Sequence, residues 1–78
     1  MVKPSERIMT MTEYIVEYRL LDDPHWYQVY IGYSEDLARC SAEYARRNPC
    51  IISVNITAVT DGQPKVIYHW GKEEKLAD

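Results

Sequence analysis

Hydrophobic and polar residues alternate with a period of two over most of the chain, and one stretch in the middle switches to a period of three to four. Glu13 to Leu21 sets Tyr14, Val16, Tyr18 and Leu20 against Glu13, Ile15, Glu17 and Arg19, the pattern of a strand with one buried face. Trp26 to Tyr33 repeats it, with Tyr27, Val29, Ile31 and Tyr33 expected toward the core and Trp26, Gln28, Tyr30 and Gly32 away from it. Cys50 to Thr60 is rich in Ile, Val and Thr and places Ile52, Val54, Ile56 and Ala58 opposite Ser53, Asn55 and Thr57. Lys65 to Trp70 is a fourth, shorter strand, closed by Gly71.

Between the second and third strands lies a helix with clear ends. The Ser34 hydroxyl can cap the first turn, and Glu35 and Asp36 put negative charge at the positive end of the helix dipole. Leu37, Cys40, Ser41, Tyr44 and Ala45 fall on one stripe, predicted to face the sheet, while Arg39, Glu43, Arg46 and Arg47 fall off it. Asn48-Pro49 stops the helix near Arg47, because proline restricts the residue before it and has no amide hydrogen to donate. This helix and the strand that follows it form the expected folding nucleus.

Asp22-Asp23-Pro24-His25 and Asp61-Gly62-Gln63-Pro64 supply the two hairpin turns. The expected fold is α+β, a single small ββαββ domain whose four-stranded, mainly antiparallel sheet carries one helix on one face. Strand order 2-1-3-4 is preferred over 1-2-3-4, in which strands two and three would be parallel. Residues 1–12 read as a flexible N-terminal arm, 13–70 as the domain and 71–78 as a charged C-terminal tail.

A helix of about 13 residues is roughly 20 Å long and covers one side of four strands, not both. The remaining face is the candidate binding surface. With the acidic first hairpin it comprises Glu13, Ile15, Glu17, Asp22, Asp23, Trp26, Gln28, Tyr30, Asn55 and His69. Large rings among polar groups suit recognition better than the Lys/Glu/Thr surface of an inert sheet.

Composition narrows the function classes. In 78 residues with seven Tyr, two Trp and no Phe, bulk comes with hydroxyls that need partners when buried. A net charge of −3, with Glu13, Glu17, Asp22 and Asp23 in the first hairpin, disfavours nucleic acid and anionic lipid and suits a basic protein surface. Single-stranded nucleic acid stacked on the same rings is the alternative reading. No apolar run approaches the ~20 residues that span a bilayer, and the first twelve residues lack the apolar core of a signal peptide, so a cytoplasmic location is expected. Cys40 and Cys50, one mid-helix and one past its end, are expected as free thiols.

No nucleophile sits in a catalytic motif, the two His and two Cys lack metal-ligand spacing, and three glycines build no phosphate cradle. Neither an enzyme nor a cofactor is expected. In general character, a tiny acidic domain with an aromatic-rich open face looks like accessory proteins that act by adhering to a larger machine, including inhibitors carried by phages and mobile elements. That likeness is one of composition. The expectation is a protein-binding module or small inhibitor, with a larger protein as partner and a homodimer through the open face or a strand edge as a further outcome.

Overall fold

A computed structural model describes residues 11–72; residues 1–10 of the expected arm and 73–78 of the expected tail lie outside that range. The elements are β1 (Thr12–Leu20), β2 (Trp26–Gly32), α1 (Glu35–Arg46), β3 (Ile51–Thr60) and β4 (Gln63–Gly71). They form one four-stranded sheet in the order β2-β1-β3-β4 with every neighbouring pair antiparallel, so the fold is the preferred ββαββ topology. The strand ends differ from the alternating runs by one or two residues: β1 takes in Thr12 but stops at Leu20, β2 stops at Gly32, β3 begins at Ile51, and β4 takes in Gln63, Pro64 and Gly71.

The β3–β4 connection is a two-residue Asp-Gly loop with Asp61 at φ 54° and Gly62 at φ 77°. Positive φ at both positions matches the right-handed twist of the flanking strands, and Asp-Gly is the pair that tolerates it best. In the β1–β2 turn Asp22 takes φ 63°, and the Asp23 amide donates to the Leu20 carbonyl at 3.2 Å.

Val16, Val54 and Ile56 are sealed at the centre of the sheet and Ile51 at its end, under Ala38, Ala42 and Ala45 of α1. Tyr14, Tyr18, Leu20, Tyr30, Ile67, Tyr68 and Trp70 pack around them. The helix therefore turns a different stripe inward from the one its large residues suggest. Leu37, Cys40 and Tyr44 are exposed, Leu37 at 56% and Tyr44 at 77%, and alanines replace them at the contact. The reason is volume: tall rings from β1, β2 and β4 already fill the space above the sheet, so only small side chains let the helix approach.

Three bulges set which residues share a face. In β2 the partner of β1 steps from Tyr30 opposite Val16 to Gln28 opposite Glu17, leaving Val29 extra. In β4 the partner of β3 steps from Tyr68 opposite Ile56 to Val66 opposite Thr57, leaving Ile67 extra. In β3 the step from Ser53 to Ile51 skips Ile52. Cross-strand partners point the same way, so each bulge reverses the alternation beyond it.

The helix start is held twice. The Ser34 hydroxyl accepts from the Leu37 amide at 3.1 Å, and the Ser34 amide donates to the Tyr30 hydroxyl at 3.2 Å. Glu35 pairs with Arg39 at 2.9 Å one turn on. Replacing Ser34 by Ala is expected to lower stability by about 0.5–2 kcal/mol through the lost cap, read as a lower urea midpoint with an unchanged slope. Gly32 lies where no side chain fits without moving that ring, since a Cβ there would be 2.6 Å from the Tyr30 hydroxyl oxygen.

Candidate functional site: the open sheet face

The face away from α1 is built from four transverse rows, one residue per strand, written in the order β2, β1, β3, β4. Ile31, Ile15, Thr57 and Val66 form an apolar row across the whole sheet. Gln28, Glu17, Asn55 and His69 form a polar row beside it. Trp26, Arg19, Ser53 and Gly71 form the row beyond that, and Glu13, Val59 and Pro64 lie on the opposite flank of the apolar row. Residues two apart on a strand rise by about 6.7 Å and strands lie about 4.8 Å apart, so the apolar row is roughly 14 Å long with an acid on either side of Ile15.

Nine of the ten sequence-predicted site residues stand on this face or in its first turn, and two points change. Tyr30 is not on the open face. The Val29 bulge places it opposite Val16, on the helix side, where its ring packs on the core and its hydroxyl holds the Ser34 amide. The same bulge turns Ile31 outward, 49% exposed, where strict alternation had put it in the core, and the Ile67 bulge turns Val66 outward at 55%. Ile31 and Val66 are the part of the site that alternation alone misplaced or passed over; Ile15 and Thr57, between them in the row, lie on the face where alternation puts them.

The second change concerns the row of Trp26. Trp26 is 41% exposed and the Arg19 guanidinium carbon lies 5.9 Å from its ring centroid, a cation–π pair. Ser53 and Gly71, at the other end of that row, are buried, so the open area is the other three rows. In the polar row Asn55 Oδ1 and His69 Nδ1 are hydrogen-bonded to each other across β3 and β4.

The acidic turn at the end of the first hairpin has its own order. The Asp23 carboxylate accepts from the His25 amide at 2.9 Å, from the Tyr27 hydroxyl at 2.7 Å, and meets His25 Nδ1 at 3.0 Å. The amide bond first, then the hydroxyl and the ring, hold its pKa down at about 2 against an ordinary 3.8. The hydrogen bond to Asp23 raises that of Tyr27. A carboxylate with a lowered folded pKa favours the fold above about pH 4 and loses that contribution as pH falls through about 2. An Asp23→Asn variant should therefore lack the loosening of this turn that the wild type shows between pH 4 and 2, followed by the Tyr27 ring resonances. Asp22 and His25 are exposed, and Asp22 has the left-handed backbone.

Cys40 and Cys50 are free and exposed. Among the described residues no cluster of three or more His, Cys, Asp or Glu side chains could hold a metal ion, and no helix is long and apolar enough to cross a membrane. The exposed side of α1 offers a shallow cleft of about 170 Å³ against β2, lined by Tyr18, Val29, Tyr44, Ala45, Asn48 and Ile51. No family model, curated protein or solved structure matches this chain.

Proposed function

We propose that the protein is a non-enzymatic binding module whose open sheet face docks another protein surface, with the acidic β1–β2 turn as a second point of contact. The observation that supports this reading is the apolar row Ile31–Ile15–Thr57–Val66, which crosses all four strands on the side that α1 does not cover. Ile31 and Val66 are about half exposed at the two ends of a row whose middle, Ile15 and Thr57, is partly exposed, and apolar groups so placed lose water favourably when a partner covers them.

Charge points to the chemistry of that partner. Glu13 and Glu17 flank Ile15, and Asp22 and Asp23 end the same hairpin, with Arg19 engaged on Trp26. A basic surface is the complement of that turn, and acidic side chains there speed encounter with it. The same acids argue against single-stranded nucleic acid, whose backbone needs a lysine- and arginine-lined path beside the stacking rings. An inhibitor or an accessory protein of a phage or mobile element is one biological setting for such a module.

The test is affinity capture from cell extract on immobilised wild type, Ile31→Glu and Tyr44→Glu proteins, followed by oligonucleotide binding to the wild type. The reading predicts proteins retained by wild type and Tyr44→Glu and lost by Ile31→Glu. Equal retention by all three, or tight salt-sensitive oligonucleotide binding, would count against it.

A further inference from the structure

We infer that the occupant of the open sheet face is a second copy of this chain, packed face to face about a twofold axis that runs along the strands between β1 and β3. The inference rests on reading that face as an interaction surface and names what sits on it. An open sheet can pair through its edges or through its face. Here the edges are poor templates: β2 is bulged at Val29, β4 is bulged at Ile67, and β4 carries Pro64, which has no amide to donate. The face has no comparable obstruction in its apolar row.

Rotation about such an axis reverses strand order while each row keeps its level. Ile31 then lies over the partner's Val66, and Ile15 over the partner's Thr57, so the apolar row covers itself. Glu17 lies over the partner's Asn55, whose amide can donate to a carboxylate, and Gln28 over the partner's His69. In these two rows the pattern is self-complementary, with large opposite small in the centre and acceptor opposite donor beside it; on the other flank Glu13 lies over the partner's Val59, at the margin of the contact. The other twofold available to two stacked sheets, along the rows, sets β1 on β1 and brings Glu17 against the partner's Glu13, which like charge disfavours.

Sheets packed in this way lie about 10 Å apart with their strands within about 30°. Three rows by four strands cover roughly 20 by 20 Å, about half the ~800 Å² that each partner gives to a standard interface, so the pair is expected to dissociate at micromolar concentrations. Because the strands of both copies run the same way, the two β1–β2 turns emerge at one end. Asp22 and Asp23 of each copy there form a doubled acidic edge for a basic third protein.

The experiment uses the full chain with Cys40→Ser and Cys50→Ser, both at exposed positions, and adds Ile31→Cys to one sample and Val66→Cys to another. Within one copy these positions sit on opposite edges, about 14 Å apart across three strand spacings. With a short bismaleimide, mixing the two variants should double the mass from 9.2 kDa, while either variant alone should stay largely monomeric. Sedimentation equilibrium of the unmodified chain should show the same doubling as concentration rises through the micromolar range.

Cross-linking of Ile31→Cys alone as strongly as the mixture would overturn the geometry in favour of the other axis. A single 9.2 kDa species up to about 1 mM, with no cross-link from the mixture, would overturn the second copy as occupant. If that monomer still retains a foreign protein in a manner abolished by Ile31→Glu, the face binds something else and the broader proposal stands. If retention is also indifferent to Ile31→Glu, both fail.

Discussion

Replacing Ile56 with Ala is expected to cost about 2–5 kcal/mol, a large share of what holds so small a domain together. Ile56 is completely buried at the middle of the sheet, opposite Val16 on one side and Tyr68 on the other, with Ala42 of α1 above. Three methyl or methylene groups would leave a void that the flanking strands, tied by ladders on both sides, are poorly able to close. Total stability for a domain of this size is on the order of 5 kcal/mol, because a short chain buries only about 60% of its unfolded surface. Urea unfolding followed by circular dichroism at 10 °C, where enough folded protein should remain, reads the difference directly.

The second large effect is expected from adding volume. Ala42→Leu should destabilise by about 1–3 kcal/mol, because Ala42 is sealed between α1 and a sheet face already filled by Tyr and Trp rings. Leu37→Ala and Tyr44→Ala remove as much side chain as Ile56→Ala or more, yet should change stability by no more than about 0.5 kcal/mol, since both project into solvent. The contrast is a measurement of helix phase. If Tyr44→Ala cost as much as Ile56→Ala, α1 would be rotated by about one residue from the position described. It also revises the expected folding nucleus: Val54, fully buried under the helix, is a candidate to slow refolding when truncated, and Tyr44 is not.

Why the sequence showed some of this and hid the rest can be traced to particular residues. The element order, the capped helix, the Asp61-Gly62 turn and the 2-1-3-4 order follow from local chemistry and from the crossover, which leaves few other ways to bury one face. Alternation in β1 is unbroken, so Glu13, Ile15 and Glu17 were placed on the open face from the pattern alone. It fails in the edge strands because a bulge inserts a residue without any turn residue to mark it. Each bulge falls where two large apolar residues stand side by side: Val29-Tyr30, Ile51-Ile52 and Ile67-Tyr68. Such pairs cannot both satisfy a period of two, and the bulge lets both turn toward the helix side in the edge strands.

The helix phase was hidden for a different reason. Scoring Leu37, Cys40 and Tyr44 as the buried stripe assumes that the largest apolar residues go inside. That preference concerns the whole contact, and here the sheet supplies the volume. Tyr14, Tyr18, Tyr30, Tyr68 and Trp70 all stand on the covered face, and Arg46 closes over Trp70 at 5.5 Å from the ring centroid. The helix contributes alanines, and its large residues are displaced to solvent. On the open face the balance is reversed: the central row is built of Ile, Thr and Val, short side chains over which another surface can settle.

A methyl NMR spectrum puts the resulting claim, that recognition runs through the sheet and not through the exposed stripe of the helix, to its most direct test. Isoleucine, valine and leucine methyls would be followed while the protein is concentrated from dilute solution and, separately, while a retained protein is added. Shifts or broadening are expected at Ile15, Ile31 and Val66 with Leu37 unmoved; movement of Leu37 with Ile15, Ile31 and Val66 unchanged would move recognition to the helix.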